Sequence, residues 1–310
     1  MTQNIRKESP WGPLEVADAH LHFFSHGFFS LLAKQAGLDG AAAACDRAGV
    51  EAPPADAREL AARWAAELDR HHVSRAVLLA SLPGDEASVA QAVASQPQRF
   101  FGWFFCNPLM PHAAARAEEW LNHGLRGVCL LPAMHGYALS DPRVEEILQV
   151  AERRHAVVFV HCGVLSVGIR ARVGAPSPFD MRFSNPIDLH PLALKHPKLR
   201  FIVPHFGAGY FREALMTASL CPNVHFDTSS SNTWTKYLAP PPTLEQVFER
   251  ALEVAGPQRL LFGTDSSFFP RGWVSAVFDR QCEALSRLGV AAEDARAIFG
   301  GNLLRLMQMP

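Results

Sequence analysis

Short apolar runs that recur along the chain, with helical stretches between them, constrain the fold more than any other feature. The runs are 14–22 (LEVADAHLH), 75–81 (RAVLLAS), 99–106 (RFFGWFFC), 126–132 (RGVCLLP), 156–161 (AVVFVH), 199–205 (LRFIVPH), 223–229 (NVHFDTS) and 259–265 (RLLFGTD). Most are near-continuously apolar, as strands of a parallel sheet buried on both faces must be. The stretches between them have helical period. Residues 57–72 place Leu60, Trp64 and Leu68 on one stripe, and residues 142–155 place Val144, Ile147, Leu148 and Ala151 together. Asp141 before Pro142, and Thr243 before Leu244, are N-cap signals, while Gly256 is a C-cap signal. Eight β-then-α units in a row predict a single (β/α)8 TIM barrel with long βα loops spanning 1–310. An open doubly wound sheet is the alternative, but no GxGxxG or Walker A sequence follows the first strand.

Composition narrows the function classes. With 29 Lys+Arg against 30 Asp+Glu there is no basic excess to favour nucleic acid or an anionic membrane. No apolar run approaches the roughly 18 residues of a membrane span, and the first residues lack the apolar core of a signal peptide. The six Cys form no CxxC pair and sit in apolar stretches, which reads as reduced, buried thiols in a cytoplasmic protein. One oddity remains: 14 His against 3 Tyr.

Four of those histidines fall at strand ends. The first strand ends Asp18-Ala19-His20-Leu21-His22, and residues i and i+2 share a face. The fifth run ends in His161, the sixth in His205 and the eighth in Asp265. A ring of ionisable residues around the C-terminal mouth of a barrel is hard to explain as core, because apolar packing is the cheaper filling. The five residues together look like a metal site with an acid/base partner.

These motifs, with LSDPRVEEILQVAERRHAVVFVH, HPKLRFIVPHFGAG, RLLFGTDSSF and FGGNLLRL, resemble the amidohydrolase superfamily over most of the chain. The similarity is to the amidohydrolase-related group that includes aminocarboxymuconate-semialdehyde decarboxylase, dihydroxybenzoate decarboxylases and lactone hydrolases. The resemblance implies one divalent metal ion, usually zinc with manganese as the alternative. His20, His22, His161 and Asp265 would be its ligands, and His205 the catalytic histidine. The fourth run, Gly127 to Leu131, lacks the lysine that is carboxylated in two-metal members, and Cys129 reads as structural. The stretch before residue 18 is too short for the β-sandwich of hydantoinase-like members. Dimers are common among the resembling decarboxylases, so a homodimer is the expected assembly.

Two reactions fit this set. One is hydrolysis of a lactone, amide or ester by a metal-activated water, with Asp265 and His205 moving protons. The other is non-oxidative decarboxylation of an aromatic or muconate-like acid. Hydrolysis is preferred here, because the sequence displays no compact arginine clamp; a silent binding protein is disfavoured by the complete ligand set. Substrate contacts are expected from the loops: Phe23 and His26 after strand one, His135 after strand four, Arg170 and Arg182 after strand five, and Trp273 after strand eight. Arg172 and Arg271 are further candidates, an arginine beside aromatics suiting a planar carboxylate. Asp227 reads as a supporting residue and Asp18, one pleat below His20, as structural.

Overall fold

In a computed structural model, which describes residues 5–165, 167–229 and 233–308, every apolar run contains a strand. Residues 1–4, where the segment read for a leader begins, lie outside the described residues. The strands are β1 (Ala17–His22), β2 (Arg75–Ala80), β3 (Phe100–Cys106), β4 (Gly127–Leu130), β5 (Val157–Val160), β6 (Phe201–Val203), β7 (Val224–Asp227) and β8 (Leu260–Leu261). They form one parallel sheet in sequential order. Ala19 N–H donates to Phe262 O, and His22 N–H to Ser266 O, each at 2.8 Å, which joins the end of the sheet back to β1. The fold is a (β/α)8 barrel. Among the described residues no helix is long and apolar enough to cross a membrane, and all six cysteines are free and buried.

Capping follows the sequence signals. Asp141 accepts from Arg143 N–H ahead of Pro142–Arg153, and Thr243 forms a capping box with Gln246 ahead of Leu244–Ala255. The core has two shells. Ala17, Ala19, Leu79, Trp103, Phe159 and Leu261 fill the barrel interior, closed below by Leu303, Leu306 and Met307. Leu21, Phe23, Leu78, Phe104 and Phe201 face outward against the helices, among them Leu60, Trp64 and Leu68 of Ala57–Arg70. Each such large side chain contributes about 1.5–3 kcal/mol of burial.

Two expectations are revised. The long loop expected after the first strand holds α1 (His26–Ala36) and α2 (Gly40–Ala48) before α3 (Ala57–Arg70). With the short helix Gly168–Val173, α1 and α2 bury a separate hydrophobic cluster around Phe28, Phe29, Leu32, Ile169 and Val173. Asp18, expected on the face of His20, sits elsewhere. The β1–β2 register slips between Asp18 and Leu21. Ala17 and Ala19 belong to the interior shell and Leu21 to the outer one, so alternation breaks before His20. A bulge of this kind re-aims side chains beside active sites. Asp18 instead accepts from Trp273 Nε1 (2.8 Å) and from Thr264 N–H (3.1 Å) and Oγ1 (2.5 Å). It locks the β8 loop, and burial pushes its pKa up to about 6.

Candidate metal centre

The bulge turns both β1 imidazoles into the barrel mouth. His20 Nε2 lies 3.3 Å from His22 Nε2, and Asp265 Oδ1 lies 3.1 Å from His22 Nε2 and 3.7 Å from His20 Nε2. These three residues offer ligand atoms that all lie within 4.8 Å of one another. His205 stacks 5.1 Å from His20, and His161 lies 5.5 Å from His205, centroid to centroid. The expected five residues line one cavity of about 400 Å³.

Local backbone explains the convergence. Pro204 ends β6, and His205 follows in the left-handed region at φ 54°. Asp265 is left-handed too (φ 60°), its N–H donating to His20 O at 2.9 Å. Non-glycine residues seldom adopt this conformation, and they cluster at functional sites. Gly163, just beyond His161, has no Cβ to strike the Gly207 and Ala208 carbonyls, so the β5 loop packs on the His205 turn. A Cβ at Gly263 would press on Asp227, His20 and Ser229, so only glycine brings the β8 loop this close.

Three of the imidazoles, His20, His22 and His205, are held through Nδ1. His20 Nδ1 lies 2.5 Å from Asp227 Oδ2, and Asp227 also accepts from Ser229 N–H and Oγ. His22 Nδ1 lies 2.6 Å from Ser81 Oγ, whose single proton goes to Leu79 O. The hydroxyl therefore accepts from His22 Nδ1–H, which leaves the Nε2 lone pair free. His205 Nδ1 lies 3.1 Å from Ser229 O. A carbonyl only accepts, so this nitrogen carries the proton and the neutral ring keeps Nε2 as an acceptor.

His22 Nε2 and Asp265 Oδ1 face each other at 3.1 Å, a separation that one proton shared between them, or an ion bound by both, satisfies. Burial works against a charge on His20, but Asp227, with Asp265, holds its pKa up to about 9. Burial lowers the pKa values of His22, His205 and, furthest, His161. The Asp265 carboxyl stays well below the usual range: burial opposes its charge, but His22, His20 and His205 outweigh that. His22 and His161 kept neutral by burial, a His20 ring that can give up its proton, and an ionised Asp265 are a donor set that suits a zinc- or manganese-type ion.

The expected substrate contacts divide. Arg170 lines the cavity, with Phe24, Phe28, Arg172 and Arg271. Phe23 does not: it follows His22 on the alternating strand and points into the outer core. Trp273 is likewise buried in the outer core, tied to Asp18. His26 is exposed at the first residue of α1. Arg182 is exposed and paired with Asp180 at 2.5 Å. His135 turns toward Tyr137, with ring centroids 6.4 Å apart, and burial with help from Arg170 pushes its pKa down to about 4. Ser81 and Ser229 were not singled out from the sequence. Ser229 stands two residues after Asp227, the same i, i+2 spacing at a strand end that marks His20 and His22.

Fold and site together define the class: a (β/α)8 barrel with a candidate divalent-metal centre at the C-terminal mouth. The amidohydrolase family model matches residues 17–307, and the chain belongs to that family. Among solved structures it is similar to 5-carboxyvanillate decarboxylase of Sphingomonas paucimobilis, at 16% identity and TM-score 0.66, covering 96% of this chain and 100% of that one. A probable 2-pyrone-4,6-dicarboxylic acid hydrolase of Acinetobacter baumannii aligns at 15% identity and TM-score 0.61, over 96% and 100%. A 5-carboxyvanillate decarboxylase of Novosphingobium aromaticivorans, complexed with manganese, aligns at 15% identity and TM-score 0.63, over 100% of both. Protein fluG of Emericella nidulans is 33% identical over 87 residues, which are 28% of this chain and 10% of that protein. The match thus spans a small part of that relative's length.

Proposed function

We propose that this enzyme is a metal-dependent hydrolase of a small carbonyl substrate: a lactone, an ester or an amide. The observation that carries the reading is a pair of proton acceptors, the Asp265 carboxylate and His205 Nε2, on one cavity beside the converging ligand atoms. Hydrolysis starts by taking a proton from water, whereas decarboxylation must deliver one to carbon. His20, His22, His161 and Asp265 would hold a divalent ion, which would supply Lewis acidity toward a carbonyl and toward water. Asp265, whose side chain is 34% exposed, accepts the proton that the attacking water sheds and returns it to the leaving group. His205 orients that water through Nε2 while Ser229 O fixes its ring.

One observation favours the second reading, decarboxylation of an aromatic or muconate-like acid. Arg170, Arg172 and Arg271 all line this cavity, which removes the reason for preferring hydrolysis on the sequence alone. The similar structures include both a decarboxylase and a hydrolase. The test is the metal-loaded enzyme against a lactone, ester and amide panel beside a panel of aromatic and muconate-type acids. Ester or lactone cleavage without CO2 release is expected. Metal-dependent CO2 release with no hydrolysis would assign the enzyme to the second reading.

A further inference from the structure

The strand that leads to Asp265 is short. β8 ends at Leu261, and Asp265 stands beyond it with its backbone in the left-handed region. A non-glycine residue keeps that conformation only where its surroundings over-determine it. Here the surroundings include a buried polar cluster: Asp18, Thr264, Ser266, Trp273 and Glu67, each 8% exposed or less. Apolar side chains would fill the same space at lower cost, so such a cluster needs a reason.

Asp18 is its centre. Oδ1 accepts from His20 N–H at 2.8 Å and from Thr264 N–H at 3.1 Å. One oxygen therefore sets the spacing between the backbone of a β1 ligand and the residue before Asp265. Oδ2 accepts from Thr264 Oγ1 and, at 2.8 Å, from Trp273 Nε1. The Thr264 hydroxyl proton goes to Asp18, so Ser266 Oγ–H donates to Thr264 Oγ1 at 2.6 Å. Ser266 Oγ in turn accepts from Val274 N–H at 3.0 Å. Glu67, on α3, accepts from Trp273 N–H at 3.0 Å. A Cβ at Gly272 would strike the Glu67 carboxylate, so only glycine lets the loop come down on it. Both ends of the 264–273 loop thus close on Asp18. Asp265, Ser267, Phe268 and Arg271 of that loop line the cavity, whereas Trp273 is buried behind it.

We propose that Trp273 is a positioning residue: through Asp18, its indole N–H holds Asp265 against His20 and His22 without touching substrate. The proposal rests on the reading of Asp265 as ligand and proton acceptor. A role confined to stability predicts that loosening Trp273 lowers the melting temperature alone. A positioning role predicts that the folded protein also binds metal more weakly and turns over more slowly, because groups behind a ligand orient it.

The test is Trp273→Phe, which keeps an aromatic ring to pack against His71 and Phe278 and deletes the indole N–H that reaches Asp18. Zinc titration of metal-stripped protein, read by elemental analysis, should show affinity weaker by about fivefold or more. On the panel compound that the parent cleaves best, kcat should fall while KM stays within about twofold. Asp18→Asn should lose at least as much zinc affinity. The Asp18→Asn/Trp273→Phe double variant should then be no worse than Asp18→Asn, because the indole acts through that carboxylate. Thr264→Val, which keeps the shape and deletes the hydroxyl, takes the place of Asp18→Asn in this cycle if the latter does not fold. Unchanged zinc affinity and kcat in Trp273→Phe, with only the melting temperature lowered, would overturn the proposal. Losses that multiply in the double variant would overturn it too. Weaker zinc binding in Trp273→Phe, in a protein whose parent hydrolyses nothing, would sustain the positioning role and count against the hydrolase.

Discussion

His20, His22, His161, His205 and Asp265 stand at or just beyond barrel strands, and the rings of His20, His22 and His205 are held by Asp227, Ser81 and Ser229. Phe24, Phe28 and Ile169, which line the same cavity, belong instead to a small cluster built from α1, α2 and Gly168–Val173. The floor is anchored in eight strands and shares its core with the whole barrel. The roof rests on a cluster of its own, inserted between strands. Reaction chemistry needs positions fixed to fractions of an ångström, and strands supply that; substrate shape is set by loops that vary without disturbing the barrel.

Changes at the floor should abolish function, and changes at the roof should only alter binding. The largest effect is expected for Asp265→Asn, which removes a ligand charge and a proton acceptor. Turnover should fall by about a thousandfold or more with the melting temperature little changed. Asp227→Asn should weaken metal affinity by roughly 10–100-fold, because it frees the His20 ring without touching the ion directly. Metal titrations with elemental analysis read this change.

Acidity gives a third test of the floor. His20 is held protonated up to about 9 without an ion, so uptake must expel that proton. Affinity should fall about tenfold per pH unit below 9 and level off above it, with about one proton released per ion at neutral pH. A pH indicator in weak buffer measures the release.

At the roof, Phe29→Ala should open a cavity in a side chain that is fully buried, costing about 3–5 kcal/mol of local packing. KM should rise while metal content and kcat stay close to those of the parent enzyme. If metal is lost as well, floor and roof are one cooperative unit and the contrast fails. Smallest of all, Arg182→Gln should change kcat/KM by less than about twofold, since its guanidinium is paired at the surface.

The sequence carried the floor further than the roof. Strand ends were legible because a buried apolar run that stops at His or Asp leaves little else for those residues to do. The β1 bulge was not: both parities of DAHLH look plausible, and only tertiary packing decides that Asp18 faces Trp273. Phe23 and Trp273 show the matching limit, since an aromatic beside a site serves core and pocket equally well by composition. The Ala-rich tract that holds α2 is helix-compatible by composition, whereas α1, whose Phe28, Phe29, Leu32 and Ala33 are buried, follows the first strand directly and was not separated from its loop.

The central claim is that His20, His22, His161 and Asp265 form a divalent-metal centre. Its most direct test is metal stoichiometry on protein prepared without chelator and offered zinc or manganese, beside a His20→Ala/His22→Ala variant. The account expects about one ion per chain in the parent and loss of that ion in the variant. Less than about a tenth of an equivalent in the parent, or full metal content in the variant, would contradict it.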